Sequence, residues 1–201
     1  DPSYAGQIVV MTYPMIGNYG VSKEDFEARK SFAAGLIIKE NSRLSSNWRC
    51  EHSLSEYLED QNIPGFCDID TRALVRHLRS TGSMRGMIFD VPPTGELNIP
   101  VLVERVKGEV PIMQGTDLAQ TVTAGHVYHW GESSLDLGDG TFRPDGKLPD
   151  EAEQFHVVVY DFGVKRGILR QLVAEGCRIT VVPASTSAET VLAMQPDGVM
   201  L

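Results

Sequence analysis

The last third of the sequence constrains the fold most. Residues 157–160 read Val-Val-Val-Tyr, a short apolar run without polar alternation, which predicts a strand covered on both faces. Residues 168–173 then place apolar side chains at helical spacing, and Gly176 has the position of a left-handed helix end. A second apolar run at 179–182, a further helical pattern and a third run that begins at Val199 follow. This alternation predicts an α/β fold with a parallel sheet and right-handed crossovers.

The loops of such a sheet indicate where a ligand would bind. Ligands lie beyond the carboxyl ends of parallel strands, so we expect the loops after Tyr160, Val182 and Leu201 to face a site. Residues 161–163, Asp-Phe-Gly, form the first of these loops. A turn between a strand and a helix requires Asp and Gly, which favours a cap and turn role for Asp161. The alternative is a phospho-acceptor aspartate, as in receiver domains.

Two cations, Lys165 and Arg166, follow this loop. In the first turn of a helix, each opposes the helix dipole by about 0.3–1 kcal/mol. We therefore expect an acidic group to meet them at a domain or subunit contact.

Other helices are predicted from their first residues. Two pairs of residues have the spacing of a capping box: Ser53 with Glu56, and Thr186 with Glu189. Asp70 can cap a third helix, which Gly82 ends. One face of that helix carries Arg72, Arg76 and Arg79. Three arginines on one face are typical of a solvated surface, and the alternative is a contact with a partner, since Arg is enriched at interfaces.

The remaining pattern predicts how the chain divides into domains. Strands are expected at residues 7–12, 33–38, 65–69 and 86–89, and a helix at residues 99–106. Residues 131–153 are rich in Gly, Asp, Pro and Ser and contain few apolar side chains, which is typical of a linker. We therefore predict a first domain at 1–130, a linker at 131–153 and a second domain at 154–201.

Charge and composition argue against several classes of protein. The net charge is −9 and no long basic run occurs, so we expect no nucleic-acid partner. No apolar stretch approaches the roughly 20 residues that span a bilayer, so we expect no membrane partner. The 3 cysteines are widely separated and form no C-x-x-C pair, which indicates neither a disulfide framework nor a zinc site. A reducing cytoplasm is the location that this composition favours.

No catalytic residue or metal ligand can be assigned from spacing alone. Cys177 leads into a predicted buried strand, and Cys67 lies in an apolar run. Cys50 has only His52 nearby, whereas a nucleophilic thiolate needs a base and an electropositive setting. The histidines show no metal-ligand spacing; they are His52, His77, His126, His129 and His156.

Several stretches match the motifs of one known family, in the right order and over nearly the whole chain. They are residues 1–4, 7–9, 12–14, 16–18, 68–74, 159–166 and 196–198. On these residues the chain resembles the small, glutamine amidotransferase subunit of glutamine-hydrolysing carbamoyl phosphate synthase. The resemblance implies an amino-terminal swivelling β/β/α domain. It also implies that the last third is the first βαβαβ of a class I glutamine amidotransferase, a flavodoxin-like parallel sheet.

The resemblance also implies a function. The family hydrolyses glutamine through a Cys-His-Glu triad and passes ammonia through a tunnel to a large subunit. There, ATP, magnesium and bicarbonate serve to make carbamoyl phosphate for arginine and pyrimidine biosynthesis, so no cofactor is expected in this chain. Ser3 matches the serine with which the family binds substrate glutamine. Its alternative role is that of an ordinary turn serine after Pro2.

The expected triad marks the main departure from the family. Its residues would follow Leu201, and further sequence would precede Asp1, so we expect a chain that is truncated at both ends and inactive by itself. Two rival interpretations stay open. One is a non-enzymatic interaction protein that uses its exposed cations: Arg72, Arg76, Arg79, Lys165 and Arg166. The other is a receiver-like switch that is phosphorylated on Asp161.

Overall fold

The computed structural model describes residues 1–91, 95–134 and 155–201. The described chain is a mixed α/β protein with parallel sheets, as predicted. It forms two compact units. Residues 6–22 and 33–116 make the "three-stranded unit", and residues 1–5, 23–32 and 117–201 make the "four-stranded unit". No helix among the described residues is long and apolar enough to cross a membrane.

The three-stranded unit contains short parallel strands and three helices. The elements are β1 (Ile8–Val10), β2 (Met15–Ile16), β3 (Gly35–Ile37), β4 (Glu40–Asn41), α1 (Leu54–Asp60), β5 (Gly65–Phe66), α2 (Thr71–Thr81) and α3 (Ile99–Glu109). Strand β3 lies between β1 and β5 and is parallel to both, and β2 pairs with β4. Three of the predicted strands are thus confirmed, although each is shorter than its apolar run.

The predicted helix starts of this unit are confirmed. The Glu56 N–H donates to Ser53 Oγ at 3.2 Å, and the Ser53 N–H donates to Glu56 Oε2 at 2.7 Å, which makes the capping box of α1. The Ala73 N–H donates to Asp70 Oδ1 at 2.9 Å, and Gly82 ends α2.

The predicted strand at 86–89 is wrong. Those residues have no strand pairing. Ile88 instead packs on Gly35 in β3, where its Cδ1 would lie 2.6 Å from an added Cβ. The segment therefore contacts the sheet through a side chain rather than through backbone hydrogen bonds. The predicted helix at 99–106 is correct and continues to Glu109.

The four-stranded unit contains the predicted parallel sheet. Two 3₁₀ helices, Pro2–Tyr4 and Lys23–Asp25, precede α4 (Ala119–Val122), β6 (Tyr128–Trp130), β7 (His156–Asp161), α5 (Arg166–Ala174), β8 (Arg178–Pro183), α6 (Ala188–Ala193) and β9 (Gly198–Met200). The strand order is β6-β8-β7-β9. Strand β7 is parallel to β8 and β9, whereas β6 is antiparallel to β8.

Helices cover both faces of this sheet, as the unbroken apolar runs predicted. Val159 and Val181 pack with Leu169 of α5 on one face. Val158 and Val182 pack with Val191 of α6, and alternate residues of a strand point to opposite faces. All four strand valines are at most 1% exposed.

Two features of this unit differ from the prediction. Ser187, rather than Thr186, caps α6, and its Oγ accepts from the Thr190 N–H at 3.3 Å. Strand β6 and helix α4 were not predicted. The domain limits at 1–130, 131–153 and 154–201 stay predictions, and residues 135–153 of the predicted linker lie outside the described residues.

Candidate functional site

The turn after β7 is organised by Asp161. Its Oδ1 accepts from the Gly163 N–H at 2.9 Å and from the Val164 N–H at 3.0 Å. The side chain is only 6% exposed. These contacts are what a cap and turn role requires. They also argue against a phospho-acceptor, because attack on a phosphodonor requires a reachable carboxylate.

Ser3 lies beside this turn, within the same unit. It is exposed in the 3₁₀ helix Pro2–Tyr4, and its N–H donates to Asp1 Oδ1 at 2.9 Å. The other oxygen of that carboxylate, Oδ2, lies 2.9 Å from Lys165 Nζ. Buried Pro2 packs on Gly163, where an added Cβ would lie 3.1 Å from Pro2 Cβ. The backbone around Ser3 is therefore held at the carboxyl end of β7, the end at which parallel sheets bind ligands.

The two cations after the turn find different partners. Lys165 pairs with Asp1, the kind of acidic group that we expected. The Arg166 guanidinium lies over the Trp130 ring, with its Cζ 5.6 Å from the ring centroid. Both contacts lie inside the four-stranded unit.

Helix α5 receives an anionic cap from a distant part of the chain. Lys165, at the N-cap position, offers no side-chain cap. Glu27 supplies the cap instead. Its Oε2 accepts from the Gly167 N–H at 2.9 Å, and its backbone oxygen accepts from the Arg166 N–H at 3.0 Å. A carboxylate at a helix N-terminus is stabilising, so Glu27 offsets the two unfavourable cations.

A cavity of about 380 Å³ opens next to this turn, and all of its walls belong to the four-stranded unit. Phe32, Tyr128 and Trp130 supply aromatic surface, and Asp161 and Arg166 supply charge. Burial raises the pKa of Tyr128, and the Asp161 carboxylate raises it further. The Tyr128 phenol is therefore a protonated hydrogen-bond donor at neutral pH.

The cysteines are not brought together with a base. The Cys50 thiol donates to the His52 backbone oxygen at 3.3 Å, and Cys177 is packed against the core next to α5. Cys67 is exposed, and its hydrogen bond with Asp68 raises the pKa of the thiol, as does the Asp68 charge. A raised pKa makes Cys67 a poorer nucleophile at neutral pH.

Other candidate groups are also dispersed. Arg72, Arg76 and Arg79 are exposed on α2, as expected. Among residues 1–91, 95–134 and 155–201, no group of three or more His, Cys, Asp or Glu side chains could hold a metal ion.

Sequence reasoning missed several residues of this site. Glu27 and Arg29 lie in an irregular segment, where no periodic pattern reveals their contacts. Tyr128 and Trp130 alternate with His129, a pattern that could have predicted strand β6.

Comparisons with known proteins identify relatives over the whole length of the chain. Residues 1–88 match the family described as carbamoyl-phosphate synthase small chain, CPSase domain. The chain is 47% identical over 201 residues to the carbamoyl phosphate synthase small chain of Syntrophotalea carbinolica and spans 51% of that protein. It is 50% identical over 203 residues to the small chain of Photobacterium profundum and spans 50% of it. The small chain of Vibrio vulnificus is 49% identical over 203 residues, with 51% spanned. The chain thus spans about half the length of these curated relatives.

Proposed function

We propose that the chain belongs to the carbamoyl phosphate synthase small-chain family and that it is part of the glutaminase subunit of that synthase. The complete subunit would hydrolyse glutamine in the cytoplasm and deliver ammonia to a large subunit. The large subunit would bind ATP and magnesium and make carbamoyl phosphate from bicarbonate for arginine and pyrimidine biosynthesis.

We assign the two predicted domains accordingly. Residues 1–130 would form the swivelling β/β/α domain, residues 131–153 a linker, and residues 154–201 the start of a flavodoxin-like amidotransferase sheet. The order β8-β7-β9 supports the last assignment, because flavodoxin-like sheets place their second strand, first strand and third strand side by side in that order.

The position of Ser3 is the observation that carries the proposal. One oxygen of the Asp1 carboxylate accepts from the Ser3 N–H, and the other pairs with Lys165. Pro2 packs on Gly163. Ser3 thereby lies near the carboxyl end of β7, where a glutamine bound by an amidotransferase sheet would be expected. In this role the Ser3 hydroxyl binds and orients substrate and takes no part in bond breaking.

The hydrolytic chemistry requires groups beyond these residues. A thioester mechanism needs a thiolate that a neighbouring His activates. Among the described residues, the cysteine sulfurs contact a backbone oxygen, a carboxylate and the core rather than a His ring. The 201-residue chain alone should therefore be inactive.

The test is Ser3→Ala in the complete small subunit, assayed with its large subunit. Loss of one hydrogen bond to substrate, about 0.5–1.5 kcal/mol, should raise the KM for glutamine about 2- to 13-fold and leave ammonia-dependent synthesis unchanged. Ser80→Ala, an exposed serine on α2, is the matched control. An unchanged KM for glutamine in Ser3→Ala would remove the substrate role of Ser3.

The exposed arginines of α2 favour a second candidate, a non-enzymatic interaction protein. In that case Arg72→Ala and Arg76→Ala would weaken binding to a partner, and the complete chain would not hydrolyse glutamine even with a large subunit present.

A further inference from the structure

The cavity next to the turn after β7 has the size and the lining of a small-molecule binding site. It measures about 380 Å³, and its apolar surface includes Phe32, Val122, Trp130 and Leu169. Binding pockets for small molecules are commonly a few hundred cubic ångströms, apolar, and furnished with a few convergent polar groups. Its lining includes Pro2 from the turn that carries Ser3 and Leu169 from the core beside β7.

Two guanidinium groups line the cavity. Arg29 Nη1 donates to the backbone oxygens of Val122 and Thr123, each at 3.1 Å, and its Cζ lies 5.1 Å from the Phe32 ring centroid. Arg166 lies over Trp130. Stacking on an aromatic face fixes the plane of a guanidinium and leaves its edge free to bind an anion.

Neither guanidinium is neutralised by an ion pair in the part of the chain that the structure describes. Asp161 is the acidic residue in the cavity wall, and its Oδ1 is already held by two backbone amides. Among the described lining residues, two positive side chains stand against one negative side chain, and Glu27, which caps α5 beside Arg166, is not in the lining. The lining is therefore positive, which favours an anionic ligand.

These charged groups converge on Tyr128. Burial raises the pKa of Tyr128 and the Asp161 carboxylate adds to that rise, whereas the Arg166 and Arg29 guanidinium groups oppose it. All three charged groups line the same cavity as the Tyr128 phenol, which can donate a hydrogen bond.

We propose that this cavity binds a small organic anion, in which a carboxylate or phosphate group is carried on a flat apolar body. The anionic group contacts Arg29 and Arg166 and accepts a hydrogen bond from the Tyr128 hydroxyl. The apolar body lies against Phe32 and Trp130. The site adjoins the turn that carries Ser3, because Pro2 lines it, and its ligand is not predicted by the proposed function.

The test uses the complete natural protein and three probes of matched shape: benzoate, phenyl phosphate and uncharged benzamide. Isothermal titration should show saturable binding of benzoate or phenyl phosphate. Benzamide should bind at least about tenfold more weakly, as expected for the loss of one charge-assisted contact. The ratio of the affinities for benzoate and phenyl phosphate decides between a carboxylate and a phosphate ligand.

Variants assign the binding to this cavity. Arg166→Met and Arg29→Met should each weaken binding of the anionic probe about tenfold. Arg105→Met is the matched control, because Arg105 is exposed on α3 and pairs with Glu109. Arg29 is exposed, so its replacement keeps the test valid even if Arg166→Met lowers stability.

Equal binding of benzamide and benzoate would overturn the claim that the ligand is an anion. Binding that survives Arg29→Met, or no saturable binding of either anion to the folded protein, would overturn the site itself. Each of these results is independent of the glutamine KM, so it can be distinguished from a failure of the proposed function.

Discussion

Replacement of Gly163 by Ala tests how tightly the Ser3 turn is held against the sheet. Gly163 has φ +101°, which side-chain-bearing residues rarely adopt, and an added Cβ would lie 3.0 Å from Val122 Cγ2 and 3.1 Å from Pro2 Cβ. The left-handed conformation costs Ala about 1–2 kcal/mol. Displacing two packed neighbours adds about 1–3 kcal/mol. We therefore expect Gly163→Ala to lower the free energy of unfolding by about 2–5 kcal/mol.

The matched control separates these two costs. Gly82 has φ +88°, and an added Cβ there would meet nothing within 4 Å. With ψ −178°, Gly82 lies in a region that is essentially restricted to glycine, so Gly82→Ala should show only a conformational cost of about 1–3 kcal/mol. Urea unfolding, followed by circular dichroism, measures both variants. Because Pro2 precedes Ser3, Gly163→Ala should also raise the KM for glutamine in the complete synthase, and Gly82→Ala should not. Equal losses of stability in the two variants would refute the close packing of Pro2 on Gly163.

Three further predictions concern individual carboxylates. Asp161→Ala should lower the free energy of unfolding in urea by about 2–4 kcal/mol, because two partly buried amides lose their acceptor. Asp161→Asn should cost less, because it keeps an oxygen, and equal costs would contradict this role. A hydrogen bond from the Ser53 backbone lowers the pKa of Glu56. The capping box of α1 should therefore be fully formed at a pH above the ordinary pKa of glutamate, and it should be lost as the pH falls through the lowered pKa. An NMR pH titration should show this acid transition, which Glu56→Gln should remove; an unshifted Glu56 pKa would argue against the capping box. Asp68 raises the pKa of the Cys67 thiol, so Asp68→Asn should speed alkylation of Cys67 by iodoacetamide at pH 8, and an unchanged rate would show that the hydrogen bond is not formed.

Local patterns predicted the sheet of the four-stranded unit well. The valine runs of β7 and β8 and the helical spacing in α5 depend on neighbouring residues alone, and burial on both faces follows from the lack of alternation. The cap of α6 was misplaced by one residue, because Thr186 and Ser187 both carry a hydroxyl group and backbone geometry decides which of them caps.

Contacts between distant parts of the chain could not be predicted from local patterns. The Glu27 carboxylate binds an amide 140 residues away, and no periodicity in an irregular segment reveals such a contact. The same limit applies to the pairing of β6 with β8 and to the cavity, whose walls come from separate stretches of sequence. Ser3 was predicted as a site residue only from the resemblance to a family. The structure shows that the turn around Ser3 contacts Asp1 and Gly163.

Ammonia release from glutamine is the measurement that tests the central claim most directly. It should be compared between the 201-residue chain and the complete small subunit, each with and without the large subunit. The complete subunit should hydrolyse glutamine, and the 201-residue chain should not. Hydrolysis by the 201-residue chain alone, or none by the complete subunit with its partner present, would contradict this prediction.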